Sequence, residues 1–206
     1  MKRNIKFCCA LLVCMFFVFS AFKTAEAEVK LIDDFKGQEN LLGGKSNVYQ
    51  QEPSRAYLSR KAVERDGKSE MVLMIKYDKK NKGGSYDSGG WCGYYTLLKT
   101  DSTYFDISKY KNLTLWVKGA QGDENFKVGL ADRHWEQADD SVKSDQIGAY
   151  LKAGKITTDW QKATIPLNLF LIDFTEMSSL AICFESECFP DGSGMGTVYI
   201  DDIALE

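Results

Sequence analysis

Val198-Tyr199-Ile200-Asp201-Asp202-Ile203-Ala204-Leu205 runs up to the last residue of the chain, and Leu31-Ile32-Asp33-Asp34-Phe35 stands near its start. Both are short apolar runs of strand-forming residues, and each carries an Asp-Asp pair where apolar alternation places a buried or half-buried side chain. A carboxylate inside a strand needs a partner, because an unpaired charge is costly to remove from water. Four such groups, at the two ends of one domain, predict that the first and last strands lie side by side. The acids then share a cation or backbone donors. The chain between them forms a sandwich that its two ends close.

The first residues stand apart from that domain. Met1-Lys2-Arg3-Asn4-Ile5-Lys6 is a basic lead, residues 7–22 are an apolar run, and Ala25-Glu26-Ala27 is a small-x-small cleavage pattern. This is the layout of a secretory signal peptide, so residues 1–27 are expected to be removed and residues 28–206 to form the domain, secreted or periplasmic. The apolar run falls short of the roughly 20 residues of a membrane span, so no span is expected after cleavage. An uncleaved anchor is the alternative.

Residues 28–206 suffice for one domain with its own core. They hold 22 basic and 28 acidic side chains, a formal charge of −6, which argues against nucleic acid as a partner. All 10 Tyr, 4 Trp and 17 Gly lie there, a supply of amphipathic aromatics and turn formers that fits an all-β domain. Cys92, Cys183 and Cys188 also remain. In an oxidising compartment one disulfide is expected. Cys183 with Cys188 is preferred, since the residues between them can end a strand and turn, although Cys92 with either is also permitted.

Strand patterns follow one another along the chain. Ala56 to Val63 and Met71 to Tyr77 flank Arg65-Asp66-Gly67-Lys68, a turn signal. Trp91 to Leu97 is an aromatic strand. Leu113, Leu115 and Val117 share one face of a strand whose other face carries Thr114, Trp116 and Lys118. Phe126, Val128 and Leu130 alternate with Gly129 and Ala131. Ala163, Ile165 and Leu167 form another inward set, as do Leu180, Ile182 and Phe184, which alternate with Ala181, Cys183 and Glu185. Residues 133–146 read as a long polar loop, and no helix of more than about two turns is expected. Eight to ten short strands with Gly-bearing loops predict an all-β, jelly-roll β-sandwich.

Leu31 to Gly37, Ile156-Thr157-Thr158-Asp159-Trp160-Gln161-Lys162-Ala163-Thr164-Ile165-Pro166-Leu167 and Val198 to Ile203 resemble the family 11 carbohydrate-binding modules. They also resemble the related domain of the mitochondrial complex I intermediate-associated proteins, both within the galactose-binding-like jelly rolls. The resemblance implies a glucan-type polysaccharide or oligosaccharide held in a concave cleft, with bound calcium.

The residues offer a matching face. Gly129, Ala131 and Ala181 make a low floor, with Trp116, Lys118 and Glu185 around it. A sugar stacks its C–H face on an aromatic ring and offers hydroxyls to charged groups, so such a groove suits it. Trp116 is equally well placed to be core under the long loop. Trp91, Tyr94 and Tyr95 are further candidates, although alternation splits Trp91 and Tyr95 from Tyr94. Arg133 and Trp135 open the long loop and are candidates for a lid. Asp33, Asp34, Asp201 and Asp202 have hard-oxygen chemistry appropriate to a structural Ca²⁺, one of each pair being a ligand, with salt bridging as the other reading. Asp132 with Glu185 is a candidate acid pair for glycoside hydrolysis, although carboxylates are plentiful in the chain. No nucleophile elbow or P-loop is present, and the expectation is a binding domain that is not an enzyme. The alternative is an envelope protein-interaction or assembly factor using the same groove for a protein partner.

Overall fold

A computed structural model describes residues 28–206 except Tyr86 and Ser102. The expected signal segment, residues 1–27, lies outside the described residues. In chain order the strands are β1 (Lys30–Asp33), β2 (Ser46–Gln50), β3 (Arg55–Arg65), β4 (Lys68–Lys79), β5 (Cys92–Leu97), β6 (Asn112–Gly119), β7 (Lys127–Asp132), β8 (Val142–Gln146), β9 (Gln161–Pro166), β10 (Met177–Cys183) and β11 (Gly194–Leu205). One short helix, α1 (Arg133–Gln137), stands between β7 and β8.

The strands make two antiparallel sheets. The back sheet has the order β3-β4-β11-β6-β9, with β1 also paired to β11, and the front sheet has the order β2-β5-β10-β7-β8. The expected jelly-roll sandwich is the fold. Its core lies between the sheets, where Ile75, Leu115, Val117, Val198 and Ile200 of the back sheet meet Tyr94, Val128, Leu130, Leu180 and Ile182 of the front. Each fully buried aliphatic or aromatic side chain here contributes about 1.5–3 kcal/mol. Phe184, just past β10, stacks on Tyr77 with ring centroids 3.9 Å apart.

The last strand shows why its acids are there. Val198 and Ile200 face the core, and so do Ile203 and Leu205, so the apolar positions change parity across Asp201-Asp202. A β-bulge absorbs the extra residue, with Asp202 at φ 43°. At the same point β11 changes neighbours on one edge, from β4 (through Ile200) to β1 (from Ile203). The first and last strands therefore lie side by side, as expected.

The β3–β4 hairpin supplies the charge that the bulge needs. Asp66 and Gly67 both take positive φ, the geometry of a tight two-residue turn that follows the strand twist. Arg65, next to the turn, reaches the bulge with Nη1 2.6 Å from Asp201 Oδ2 and Nη2 2.5 Å from Asp202 Oδ2. Its guanidinium also lies 5.1 Å from the ring centre of Trp116 and 5.9 Å from that of Trp160, and Trp160 Nε1 donates to Glu64 O at 2.9 Å. Burial, then the neighbouring Asp202 carboxylate, pushes Asp201 up to about 6, with Arg65 acting against both.

Two elements differ from the sequence reading. Residues 46–50 pair with β5 as strand β2, where a plain connection was expected. The long loop of 133–146 contains α1 and β8, because the Asp132 side chain caps the helix by accepting from Trp135 N at 2.9 Å.

Removing one partner of a buried ion pair strands the other. Arg65→Met should therefore cost about 3–5 kcal/mol in urea denaturation. Adding Asp201→Asn to that variant should recover part of the loss, because the buried carboxylate that faced Arg65 is then gone.

Candidate functional site

The outer face of the front sheet is a trough, and strand register explains its shape. One transverse row runs Asn47, Tyr95, Ala181, Gly129, Lys143, and the next runs Leu97, Ser179, Ala131. Small residues occupy the middle of the first row and the Ser179–Ala131 stretch of the second, while Asn47, Tyr95, Lys143 and Leu97 carry the longer side chains beside them. At Gly93 a Cβ would stand 2.4 Å from the Tyr49 hydroxyl, so Tyr49 lies across β5 only because that position is bare. Gly129 likewise admits Ser141, whose Oγ a Cβ would approach to 2.5 Å. The result is a groove of about 620 Å³ lined by Tyr49, Trp91, Tyr95, Leu97, Ala131, Glu136, Asp139, Asp140, Ser141, Lys143, Ser178, Ser179, Ala181 and Glu185. That is the size of a small-molecule or oligosaccharide cleft.

Trp91 has 48 % of its surface exposed at the rim and stands on a fixed base. Gln51 N donates to its carbonyl at 2.8 Å, and buried Lys79 donates through Nζ to Gly90 O at 2.9 Å and to Lys80 O at 2.6 Å. Gly89 and Gly90, both at positive φ, turn the chain into β5 against the carbonyls of Lys80 and Gln51, where no side chain fits.

The groove is acidic. Lys143 lies 2.8 Å from Asp140 and 3.9 Å from Glu185, and Glu136 pairs with Lys99 at 2.5 Å while accepting from the Tyr104 hydroxyl at 2.9 Å. Burial works to raise Asp140, but the Lys143 hydrogen bond and the Ser141 N–H hold it below the usual carboxylate range. At Glu136 burial is likewise outweighed, by Lys99 and Tyr104. These groups are ionised acceptors for hydroxyl donors.

The residues expected from sequence divide between places. Trp91, Tyr95 and Glu185 come together in this groove over the expected floor of Gly129, Ala131 and Ala181. Tyr94 faces the core, 1 % exposed, because alternation turns it opposite to Tyr95. Trp116 and Lys118 lie on the outer face of the back sheet, since β6 belongs to that sheet. Arg133 and Trp135 belong to α1 and do not line the groove. Arg133 pairs with Glu176 at 3.4 Å, and Trp135 packs edge-on to His134. Glu136 is the residue that α1 contributes. Tyr49 and the β8 side were missed; the alternation of Asn47 and Tyr49 around Val48 was the signal for β2.

Asp132 is committed elsewhere. Its Oδ1 caps α1 and its Oδ2 accepts from Asp173 N at 2.8 Å, so it is not free to act as an acid opposite Glu185. The expected disulfide is absent: Cys92, Cys183 and Cys188 are all buried free thiols. Cys183 turns outward beneath Tyr49, whereas Cys188 ends a short 3-10 turn of Ser186–Cys188. Burial pushes each of the three thiols up to about 11.

The four aspartates find protein partners. Asp33 Oδ1 accepts from Phe35 N at 2.8 Å and Asp34 Oδ1 from Lys36 N at 3.2 Å, while Asp201 and Asp202 face Arg65. Among the described residues no three His, Cys, Asp or Glu side chains converge to hold a metal. We propose that Arg65 supplies the positive charge at this seam.

A two-sheet jelly roll with an aromatic-walled trough across one outer face is the architecture of a carbohydrate-binding module. The family described as carbohydrate binding domain 30 matches residues 32–206, and the chain belongs to it. In fold it is similar to the family 11 module of the cellulosomal cellulase Lic26A-Cel5E of Clostridium thermocellum. The TM-score is 0.58 at 16% identity, over 88% of this chain and 95% of that one. A family 11 module from Clostridium thermocellum in complex with a β-1,3-1,4-mixed-linked tetrasaccharide gives a TM-score of 0.59 at 15% identity, over 88% and 96%. The family 30 module of the cellulosomal cellulase Cel9D-Cel44B of Clostridium thermocellum gives 0.54 at 22% identity, over 72% and 81%. Among curated proteins none matches. The resemblance to carbohydrate-binding modules is thereby borne out, with family 30 in place of family 11 as the matching family.

With Arg65 in the seam, the melting temperature should be the same in excess chelator and in added calcium. A rise in calcium would show that the acids bind the ion in solution, because a ligand held only by the folded state raises stability with its concentration.

Proposed function

We propose that the domain holds a neutral glucan-type polysaccharide along the front-sheet groove, outside the cytoplasm, without chemical turnover. The observation that carries this reading is the row of Trp91, Tyr95 and Tyr49 beside a floor of Ala131, Ser179 and Ala181. Indole and phenol rings stack on the C–H faces of pyranoses, and the bare floor leaves room for a chain to lie in the trough. Glu136, Asp139, Asp140 and Glu185 outnumber Lys143 in the lining, which favours hydroxyl-rich neutral sugars over polyanions through like-charge repulsion. The mixed-linked tetrasaccharide in the similar family 11 module supports a glucan as the ligand class. The commitment of Asp132 to backbone N–H groups supports binding without hydrolysis. The basic lead and apolar run of residues 1–22, followed by Ala25-Glu26-Ala27, support export. No helix among the described residues is long and apolar enough to cross a membrane.

Titration calorimetry with a soluble mixed-linkage β-1,3-1,4-glucan tests the reading. Wild type should bind and leave the polymer uncut, and Trp91→Ala and Tyr95→Ala should each weaken binding about tenfold, 1.4 kcal/mol, with the fold intact. Failure to bind any polysaccharide across a glycan array would leave the groove to a protein partner.

A further inference from the structure

Trp116 and Trp160 are half-buried and far from the front groove in the fold, yet they line a cleft of their own. It lies on the back-sheet side, between the start of β9 and the turn that precedes it, and has a volume of about 560 Å³. Its remaining lining is Lys152, Ala153, Gln161 and Lys162. Arg65 fixes both rings, with its guanidinium close to each, and Trp160 is further held by its bond to Glu64 O. The two indoles are therefore presented as a rigid pair.

The charged side chains that line the cleft, Lys152 and Lys162, differ in sign from most of those in the front groove. Among the described residues no acid lines this cleft. Among the described residues Lys152 makes no ion pair or side-chain hydrogen bond, and Lys162 spends one contact on Glu206 at 2.5 Å. Gln161 donates its amide to Lys155 O and Thr157 Oγ1, both at 3.1 Å, which leaves its carbonyl oxygen to accept. Two flat rings, an unpaired ammonium and a free amide oxygen are what a pyranose carrying a carboxylate requires: a ring face to stack, an anion to pair and a hydroxyl to receive.

We infer that the Trp116–Trp160 cleft is a second saccharide site, selective for sugars bearing a carboxylate, and independent of the neutral-glucan groove on the opposite sheet. A chain with both sites bridges a neutral and an acidic polysaccharide.

Trigalacturonate is the probe, and the indole N–H signals of the four tryptophans are the readout in ¹H–¹⁵N spectra. The Trp116 and Trp160 signals should move on titration while that of Trp91 stays in place. Lys152 and Ala153 are exposed, so Lys152→Glu leaves the fold intact, which an unchanged melting temperature verifies. It should weaken binding at least about tenfold. Raising salt from about 0.05 to about 0.5 M should weaken the wild type, since an exposed ion pair is screened. Trp91→Ala should change nothing here, which separates this result from any failure of the glucan groove. Still signals for Trp116 and Trp160, full affinity in Lys152→Glu, or binding lost in Trp91→Ala would each overturn the inference.

Discussion

The contact on which the structure turns is that of Arg65 with Asp201 and Asp202 in the bulge of the last strand. Without the bulge, the parity that buries Val198 and Ile200 would turn Ile203 and Leu205 out to solvent. A one-residue shift in a strand exchanges its faces. With it, both pairs face the core, and β11 serves β4 along one stretch and β1 along the next. The bulge leaves a carboxylate buried, and a positive charge must meet it. A hairpin tip delivers that charge from 136 residues earlier in the chain, so the seam joins the β3–β4 hairpin, the last strand and the Trp116–Trp160 pair in one cluster.

The seam also divides the work between the sheets. Its side chains cover the bulge end of the back sheet, whereas the front sheet keeps small residues at the centre of its outer face, where Ser141 approaches Gly129 and the remainder forms the groove. Gly129 and Ala181 are there because β7 and β10 need side chains only on their core faces. The bare outer positions become a trough when Tyr95, Tyr49 and Trp91 rise on one side and the β8 segment on the other. Stability and the groove are therefore written on opposite parities of the same strands: Leu180 and Ile182 hold the sandwich, while Ser179 and Ala181 face the groove.

Much of this was legible from alternation alone. The inward sets of β6, β7, β9 and β10 were readable residue by residue, and so was the floor of Gly129, Ala131 and Ala181, because period-two patterning reports which side of a sheet each residue takes. It does not report which sheet a strand joins. Trp116 was correctly assigned to an outer face, but β6 pairs with β9 and β11, so that face belongs to the other side of the molecule. Tyr94 and Tyr95 illustrate the converse: alternation separated them, and only the pairing with β10 shows which one looks out. β2 escaped because its five residues carry a single inward aliphatic, Val48, among polar neighbours. The Asp pairs were readable as buried acids needing a partner, whereas the identity of that partner depended on a hairpin remote in sequence.

The central claim is that the ligand lies across the outer face of β5, β10 and β7. Backbone amide shifts of the ¹⁵N-labelled domain, followed while a mixed-linkage β-1,3-1,4 tetrasaccharide is added, test it most directly. The account predicts that the largest changes fall on Tyr95, Ala131, Ser179 and Ala181, with Thr114 and Trp116 of the back sheet unmoved. Changes centred on the outer face of the back sheet, or none anywhere, would contradict it.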